Sequence, residues 1–478
     1  MRGQLPSLPF TISEAGAQLR MGSITSESLT RACLDCITLI NPRLHAFITV
    51  TREQALETAA ALDRELMTGK DRGPLHGIPV VHKDNYDTTN IPTTVGSELF
   101  RGRVPDNDAT AVRLLKEAGV VLLGKTNMNE FAGGLSGHNT FYGDTRNPWD
   151  LGRSPGGSSS GTAAAIAAGL CLGGTGTDTG GSIRIPASWC GIVGMKPTYG
   201  RVSVASVFPR AYSLDSAGPL GRSVTDVAVL LDAIAGYDPR DPHSLNTPKE
   251  GYAKELSKGV HGVRLGIVEN YSFREVDPEV AAAVHGAADT LCELGAEVVT
   301  VDVPILSGPM EHTVLFDLIL YEFHQILGEL YRSTRNRDLF GPMVQEHLEK
   351  GMKVSRETYE RALAERPKQV AELQEVFNEV DALLTPATPI VAPLLTASPA
   401  VYDKCRQFTL PFNFSGMPAI SIPYGFSREG LPIGLQIVGN HLKEALILRI
   451  AAAFEASNKT HRRKPPLYCK PTQSDRER

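Results

Sequence analysis

The stretch that constrains this chain most runs from Gly156 to Gly191. It opens with Gly-Gly-Ser-Ser-Ser-Gly (Gly156 to Gly161), crosses an Ala/Gly-rich span, and continues as Gly-Thr-Asp-Thr-Gly-Gly-Ser-Ile-Arg (Gly176 to Arg184). Ser158 and Ser182 each follow a Gly-Gly pair. Glycine beside a serine opens backbone dihedrals closed to other residues and lets a ligand approach bare main-chain N–H groups. Such a setting suits a nucleophile.

The balance of the chain bears on what that nucleophile meets. With 478 residues, 42% hydrophobic and 21% charged, there is room for one large domain or for two to three ordinary ones. The net charge is −5, with 48 basic and 53 acidic residues interspersed, so the sequence offers no basic field for nucleic acid and no polybasic membrane patch. A small-molecule partner is expected. Met1 to Phe10 has no secretory apolar stretch, and the longest apolar run, Ala163 to Leu172, is too short for a bilayer and broken by Gly169. Seven scattered cysteines fit a reducing compartment, which makes the expected location cytoplasmic.

Along the chain, Thr25 caps a helix expected to stop at Asn41-Pro42, with Cys33 and Cys36 on its buried stripe as core residues rather than a redox or metal pair. A second helix covers about Glu53 to Leu66. From Leu75 short apolar runs alternate with helices, the text of an α/β sheet. Ile78 to His82 and Val120 to Leu123 read as strands that deliver Lys83 and Lys125 to their carboxyl ends, where sites collect in open α/β sheets. Val263 to Val268, Glu279 to Leu294 and Glu297 to Val301 make another strand–helix–strand unit. The aromatic-rich span Val314 to Tyr331 reads as helix. Glu357 to Val380 reads as a helix interrupted at Pro367, and Ala382 to Leu384, Ala419 to Pro423 and Gly434 to Val438 as strands. Leu442 to Glu455 closes the fold as a helix, and the polar tail from Lys459 is expected to be partly disordered.

Several motifs are set aside on their surroundings. Gly119 to Thr126 matches the P-loop expression, but its middle residues Val120, Val121, Leu122 and Leu123 are a strand and not a phosphate cradle. Gly157-Ser-Ser-Ser-Gly161 matches a nucleophile elbow centred on Ser159, yet no strand precedes it. The twelve histidines show no metal-binding spacing, and His82 reads as structural. What remains is two serines in glycine-rich turns and a lysine at a strand end. A serine hydroxyl needs a base, and a lysine buried without a carboxylate can be held neutral and serve as one.

The blocks Gly156 to Gly161, Gly176 to Ala187 and Cys190-Gly-Ile-Val-Gly-Met-Lys-Pro-Thr198 closely resemble the signature of the amidase signature family. So do Gly77 to Asp84, Gly124 to Phe131, Arg146 to Trp149, Gly416 to Pro423 and Gly430 to Ile437. The resemblance implies a single α/β/α domain over residues 1–478, with a mixed β-sheet covered by helices. Within it, N-terminal helices occupy 1–70, the signature core 71–240, a variable pocket region 241–400, closing strands and a helix 401–458, and a polar tail 459–478. It also implies a Ser-cisSer-Lys triad: Ser182 as acyl-forming nucleophile, Ser158 as bridging serine with a cis peptide, and Lys83 as base. The N–H groups of Thr179, Gly180, Gly181 and Ser182 are the implied oxyanion hole, with Ala132 and Gly134 also at the substrate. No cofactor and no metal are implied.

Three functions fit the resemblance. The first is an amidase acting on a small aryl or alkyl carboxamide, extending to anilides, carbamates or esters, as a monomer or homodimer without nucleic acid or membrane. The second is the glutamine-hydrolysing component of a tRNA-dependent amidotransferase, and the third a catalytically silent binding protein. The amidotransferase branch usually has glutamine where this chain has Ile185, and an aspartate where it has Arg406. Those departures favour the first, with an apolar pocket walled by the 314–331 span.

Overall fold

In the computed structural model, which describes residues 8–308, 310 and 312–469, eleven strands join in one mixed sheet. They are β1 (Phe47–Val50), β2 (Pro79–Lys83), β3 (Val121–Thr126), β4 (Gly173–Asp178), β5 (Val193–Lys196), β6 (Ser216–Gly221), β7 (Arg264–Ile267), β8 (Glu297–Thr300), β9 (Ala382–Pro386), β10 (Ala419–Phe426) and β11 (Pro432–Gly439). Their order across the sheet is β1-β3-β2-β4-β6-β5-β10-β11-β9-β7-β8. β2 is parallel to β3 and β4, and β7 is parallel to β8 and β9, while β4–β6, β6–β5, β5–β10, β10–β11 and β11–β9 run antiparallel. Helices surround this sheet in a single α/β/α domain, the architecture the sequence implies.

The centre of the sheet is built from glycine. Every residue of β4, Gly-Gly-Thr-Gly-Thr-Asp, is buried, and so is every residue of the helix Ser160–Ala168 that precedes it. A Cβ on Gly174 would press on Val81 and Thr162, and one on Gly176 on Leu220 and Ser159. The small residues let helix and strand approach closely, which brings the two serine-bearing turns at their ends together.

Several expectations change. The first long helix, Ser26–Leu44, is capped by Thr25 as expected but runs through Pro42, because a proline in a last turn forfeits only one backbone bond. Its stop is His45, at φ 53°, with the Asn41 side chain accepting from the N–H groups of Ala46 and Phe47. Helix Arg356–Gln374 likewise continues through Pro367 on a largely exposed face, where water can serve the freed carbonyl. The tail is ordered by contact as far as Cys469, and residues 470–478 lie outside the description.

The cysteines change most. Cys33 is free and buried, but Cys36 is bonded to Cys469, 433 residues away, with Cα atoms 5.8 Å apart. Spacing arguments look for nearby partners, so they pass over this one. Thiol titration of the unfolded, unreduced protein should find the five cysteines Cys33, Cys171, Cys190, Cys292 and Cys405. Finding all seven reactive before reduction would show that the Cys36–Cys469 bond does not form.

Candidate active site

The carboxyl end of β2 delivers Lys83 into a space closed to water. Lys83, Ser158 and Thr177 lie 0%, 0% and 4% exposed. Lys83 Nζ stands 2.7 Å from Ser158 Oγ and 2.8 Å from Thr177 Oγ1, which also accepts from Asn85 Nδ2 at 3.2 Å. The Gly157–Ser158 peptide is cis, as the family resemblance implies. Burial drives the lysine pKa down to about 7, and the more distant carboxylates of Asp178 and Asp215 only partly oppose it.

The second lysine of this sheet edge has a different environment. Lys125, on β3, lies 3.3 Å from the Asp84 carboxylate and donates to the Tyr86 carbonyl and Thr93 hydroxyl at 2.7 Å each. It is a buried ion-pair member, and the strand Val121–Thr126 confirms that the P-loop match is accidental. Among the described residues no ion pair engages Lys83.

Ser182 sits where a tight turn leaves β4. Gly181 takes φ 118°, a conformation that strains any other residue. The turn is pinned from below by Asp178, which accepts from the Gly181 N–H at 2.7 Å, the Ile183 N–H at 3.1 Å and Arg184 Nη2 at 2.9 Å. Arg184 also donates to Gln436 Oε1 (2.9 Å), the Thr409 carbonyl (3.0 Å) and Asn413 Oδ1 (2.6 Å). Burial alone would raise the Asp178 pKa; the Arg184 charge and these hydrogen bonds outweigh it and hold the carboxyl well below the usual range.

The ring of bare amides is therefore smaller than expected. The Gly181 N–H is occupied by Asp178, whereas those of Thr179, Gly180 and Ser182 have no hydrogen-bond partner among the described residues. The Thr179 hydroxyl donates to Asp215 at 2.5 Å, and the Gly180 carbonyl accepts from Thr409 Oγ1 at 2.9 Å, so both residues are fixed from outside. The Ser159 hydroxyl bonds both backbone groups of Thr177, at 3.2 and 3.3 Å, and has no contact of a nucleophile's kind. His82 bonds Thr175, stacks against Tyr86 and is kept neutral by burial, which lowers its pKa to about 3.

A narrow cavity of about 20 Å³ opens over Ser182. Ala132 and Gly134 lie on its wall with Thr179 and Gly180, and Ala132 adopts a left-handed backbone (φ 56°). The helix His312–Arg332 contributes Phe316 and Ile319, whereas its Phe323, Leu327 and Tyr331 pack into a separate core cluster. The rest of the wall is not apolar. Arg210, His347 and Arg406 face the same space. Ile185 stays beneath the turn, buried with Leu135 and Trp189. Sequence reading misses Thr177, Arg210 and His347; Thr177 stands within one of the family blocks, but the other two lie in loop and helix with no motif around them.

The chain belongs to the amidase family, whose model matches residues 28–448. It is 42% identical over 481 residues to the A component of the glutamyl-tRNA(Gln) amidotransferase of Moorella thermoacetica, covering 96% of this chain and 98% of that one. Among solved structures it is similar, at 33% identity and TM-score 0.89, to a chain of a vestigial protein complex tied to the origins of an s-triazine catabolic enzyme, covering 96% of this chain and all of that one. The corresponding component of the Thermotoga maritima glutamyl-tRNA(Gln) amidotransferase matches at 34% and TM-score 0.79, covering 95% and 96%.

These matches overturn the expected small aryl or alkyl amidase, including its extension to anilides, carbamates and esters. Relatives that carry this amidotransferase name match at 38–42% identity along nearly the full chain. Their name, that of one component of an enzyme for charged tRNA, likewise overturns the expectation of a monomer or homodimer with a small-molecule partner and no nucleic acid. The physical reason lies in the wall: residues expected to form an apolar slot share it with two guanidinium groups. No described helix is long and apolar enough to cross a membrane.

The Asp178–Arg184 pair is the brace to test. Replacing Arg184 by Met leaves a buried carboxylate uncompensated, at a cost of about 3–5 kcal/mol. Chemical unfolding should register that loss, and a change under about 1 kcal/mol would show that the pair is not needed.

Proposed function

We propose that this chain is the glutamine-hydrolysing component of an amidotransferase, releasing ammonia that partner chains transfer to glutamyl-tRNA(Gln). The observation that carries the reading is the end-to-end match to relatives of that name at 38–42% identity. The acidic balance of the chain, −5 overall, supports leaving the RNA to its partners. The reading puts the chain in the cytoplasm, where charged tRNA is used.

In this reading Ser182 attacks the side-chain carboxamide of glutamine. Its proton passes to Ser158 as Ser158 gives its own to neutral Lys83, 2.7 Å away. The carbonyl oxygen, gaining charge, meets the free N–H groups of Thr179, Gly180 and Ser182; one such donor is worth about 2.7–4 kcal/mol in the transition state. Lys83 returns the proton through Ser158 to the departing nitrogen, and ammonia leaves. A water molecule then repeats the relay against the acyl-enzyme and frees glutamate. Lys83, Ser158 and Ser182 are the catalytic residues of this scheme, and Ala132 and Gly134 shape the approach.

The assay uses the chain purified with its native partner chains, glutamine and glutamyl-tRNA(Gln), and measures ammonia release and amide formation. Wild type should perform both, and Ser182→Ala should lower ammonia release at least about a thousandfold. An assembly that hydrolyses an anilide and leaves glutamine intact would contradict the reading.

A further inference from the structure

One wall of the cavity over Ser182 carries two arginines, and the guanidinium of one of them, Arg210, has no carboxylate partner among the described residues. Arg210 is 3% exposed and Arg406 7%, and both line the cavity. Arg210 Nη2 lies 3.0 Å from His347 Nδ1, Nη1 has no hydrogen-bond partner, and the guanidinium sits 3.5 Å from the centre of the Phe323 ring. His347 offers no countercharge: burial, and then the two arginines, keep its pKa well below the ordinary value. Nearby carboxylates are committed elsewhere. Asp215 accepts from the backbone N–H of Arg210 and the Thr179 hydroxyl, and Glu322 from the Ser213 N–H and the Tyr359 hydroxyl. Arg406 lies 4.4 Å over Phe316 and bonds Asp403, whose own side chain is 58% exposed to competing water.

A guanidinium buried without a carboxylate is costly, and a ligand that brings the missing anion recovers that cost on binding. The planar fork of arginine suits a carboxylate, which it meets through two parallel hydrogen bonds. No Asp or Glu lines the cavity, so a substrate ammonium finds nothing there to hold it. From this we infer that Arg210 and Arg406 form a subsite for a carboxylate on the acyl portion of the substrate. The enzyme thus selects carboxylate-bearing primary amides by their anionic end and not by their ammonium. The inference rests on the amide-hydrolysing reading above and sharpens it, since glutamine carries both charges.

The test is calorimetric binding to Ser182→Ala protein, kept with its partner chains, which holds substrates without consuming them. The probes are 4-carbamoylbutanoate (glutamine without its amino group), glutamine, and uncharged butanamide. The expected order has 4-carbamoylbutanoate at least as tight as glutamine, and both about tenfold to a hundredfold tighter than butanamide, the range for a hydrogen bond to a charged group. Adding Arg210→Gln or Arg406→Gln should remove that advantage without weakening butanamide, and Arg210→Lys should keep part of it. Equal affinity for the charged and uncharged amides, or an advantage that survives both glutamine variants, would overturn the subsite. Glutamine binding without 4-carbamoylbutanoate binding would also overturn it, leaving the glutamine reading intact. The reverse pattern would support the subsite and refute glutamine as substrate.

Discussion

The proposed chemistry depends on one amine, Lys83, kept out of water and free of any carboxylate contact. Lys83 faces two hydroxyls, those of Ser158 and Thr177, and no carboxylate. In water the same amine would be protonated at any physiological pH and useless as a base. Removing its hydration without supplying an anion shifts the balance toward the neutral form. Lys125, on the neighbouring strand and equally buried, shows the contrast: Asp84 at 3.3 Å makes it a structural cation. One sheet edge thus carries two buried lysines in opposite electrostatic settings, one paired with a carboxylate and one not.

Holding Lys83 clear of carboxylates with the Thr179–Ser182 turn and its open amides beside it demands rigid support. Asp178, the carboxylate that most opposes the lowering of the Lys83 pKa, is bound by Arg184, by Asn413 and by the turn's own amides. Arg184 in turn ties the turn to Thr409 and to Gln436 on β11. The C-terminal blocks, more than two hundred residues from the serines, are therefore part of the site's frame.

Much of this is legible in the residues. Short apolar runs locate β2, β3, β7, β9, β10 and β11 to within a few residues, because their side chains are mostly buried, and β8 is located too although its residues are largely exposed. β4 is invisible as a strand: glycines in Gly-Gly-Thr-Gly-Thr-Asp fit a close helix contact that no propensity scale anticipates. Of the three residues implied by the family resemblance, Lys83 and Ser158 meet directly, and Ser182 occupies the adjoining turn, where its carbonyl accepts from the Ser159 N–H at 3.2 Å. The substrate side is misread for a physical reason. Arg406 reads as a charge hostile to an ammonium, yet the residues point to an apolar pocket, since Arg210 and His347 give no sign in the sequence that they converge with it. The Cys36–Cys469 bond is hidden by the length of chain between its ends.

The central claim is that Lys83 is uncharged when the enzyme works, and its own titration tests this most directly. Its pKa is lowered to about 7, so the neutral amine prevails above that pH and the ammonium below it. Carbon-detected NMR of the lysine side-chain methylenes, with Lys83→Met to assign the signal, should show one lysine titrating about three units below the solvated ones. Ammonia release should fall along the same curve as the pH drops. A Lys83 signal that titrates near 10, with the other lysines, would contradict the account.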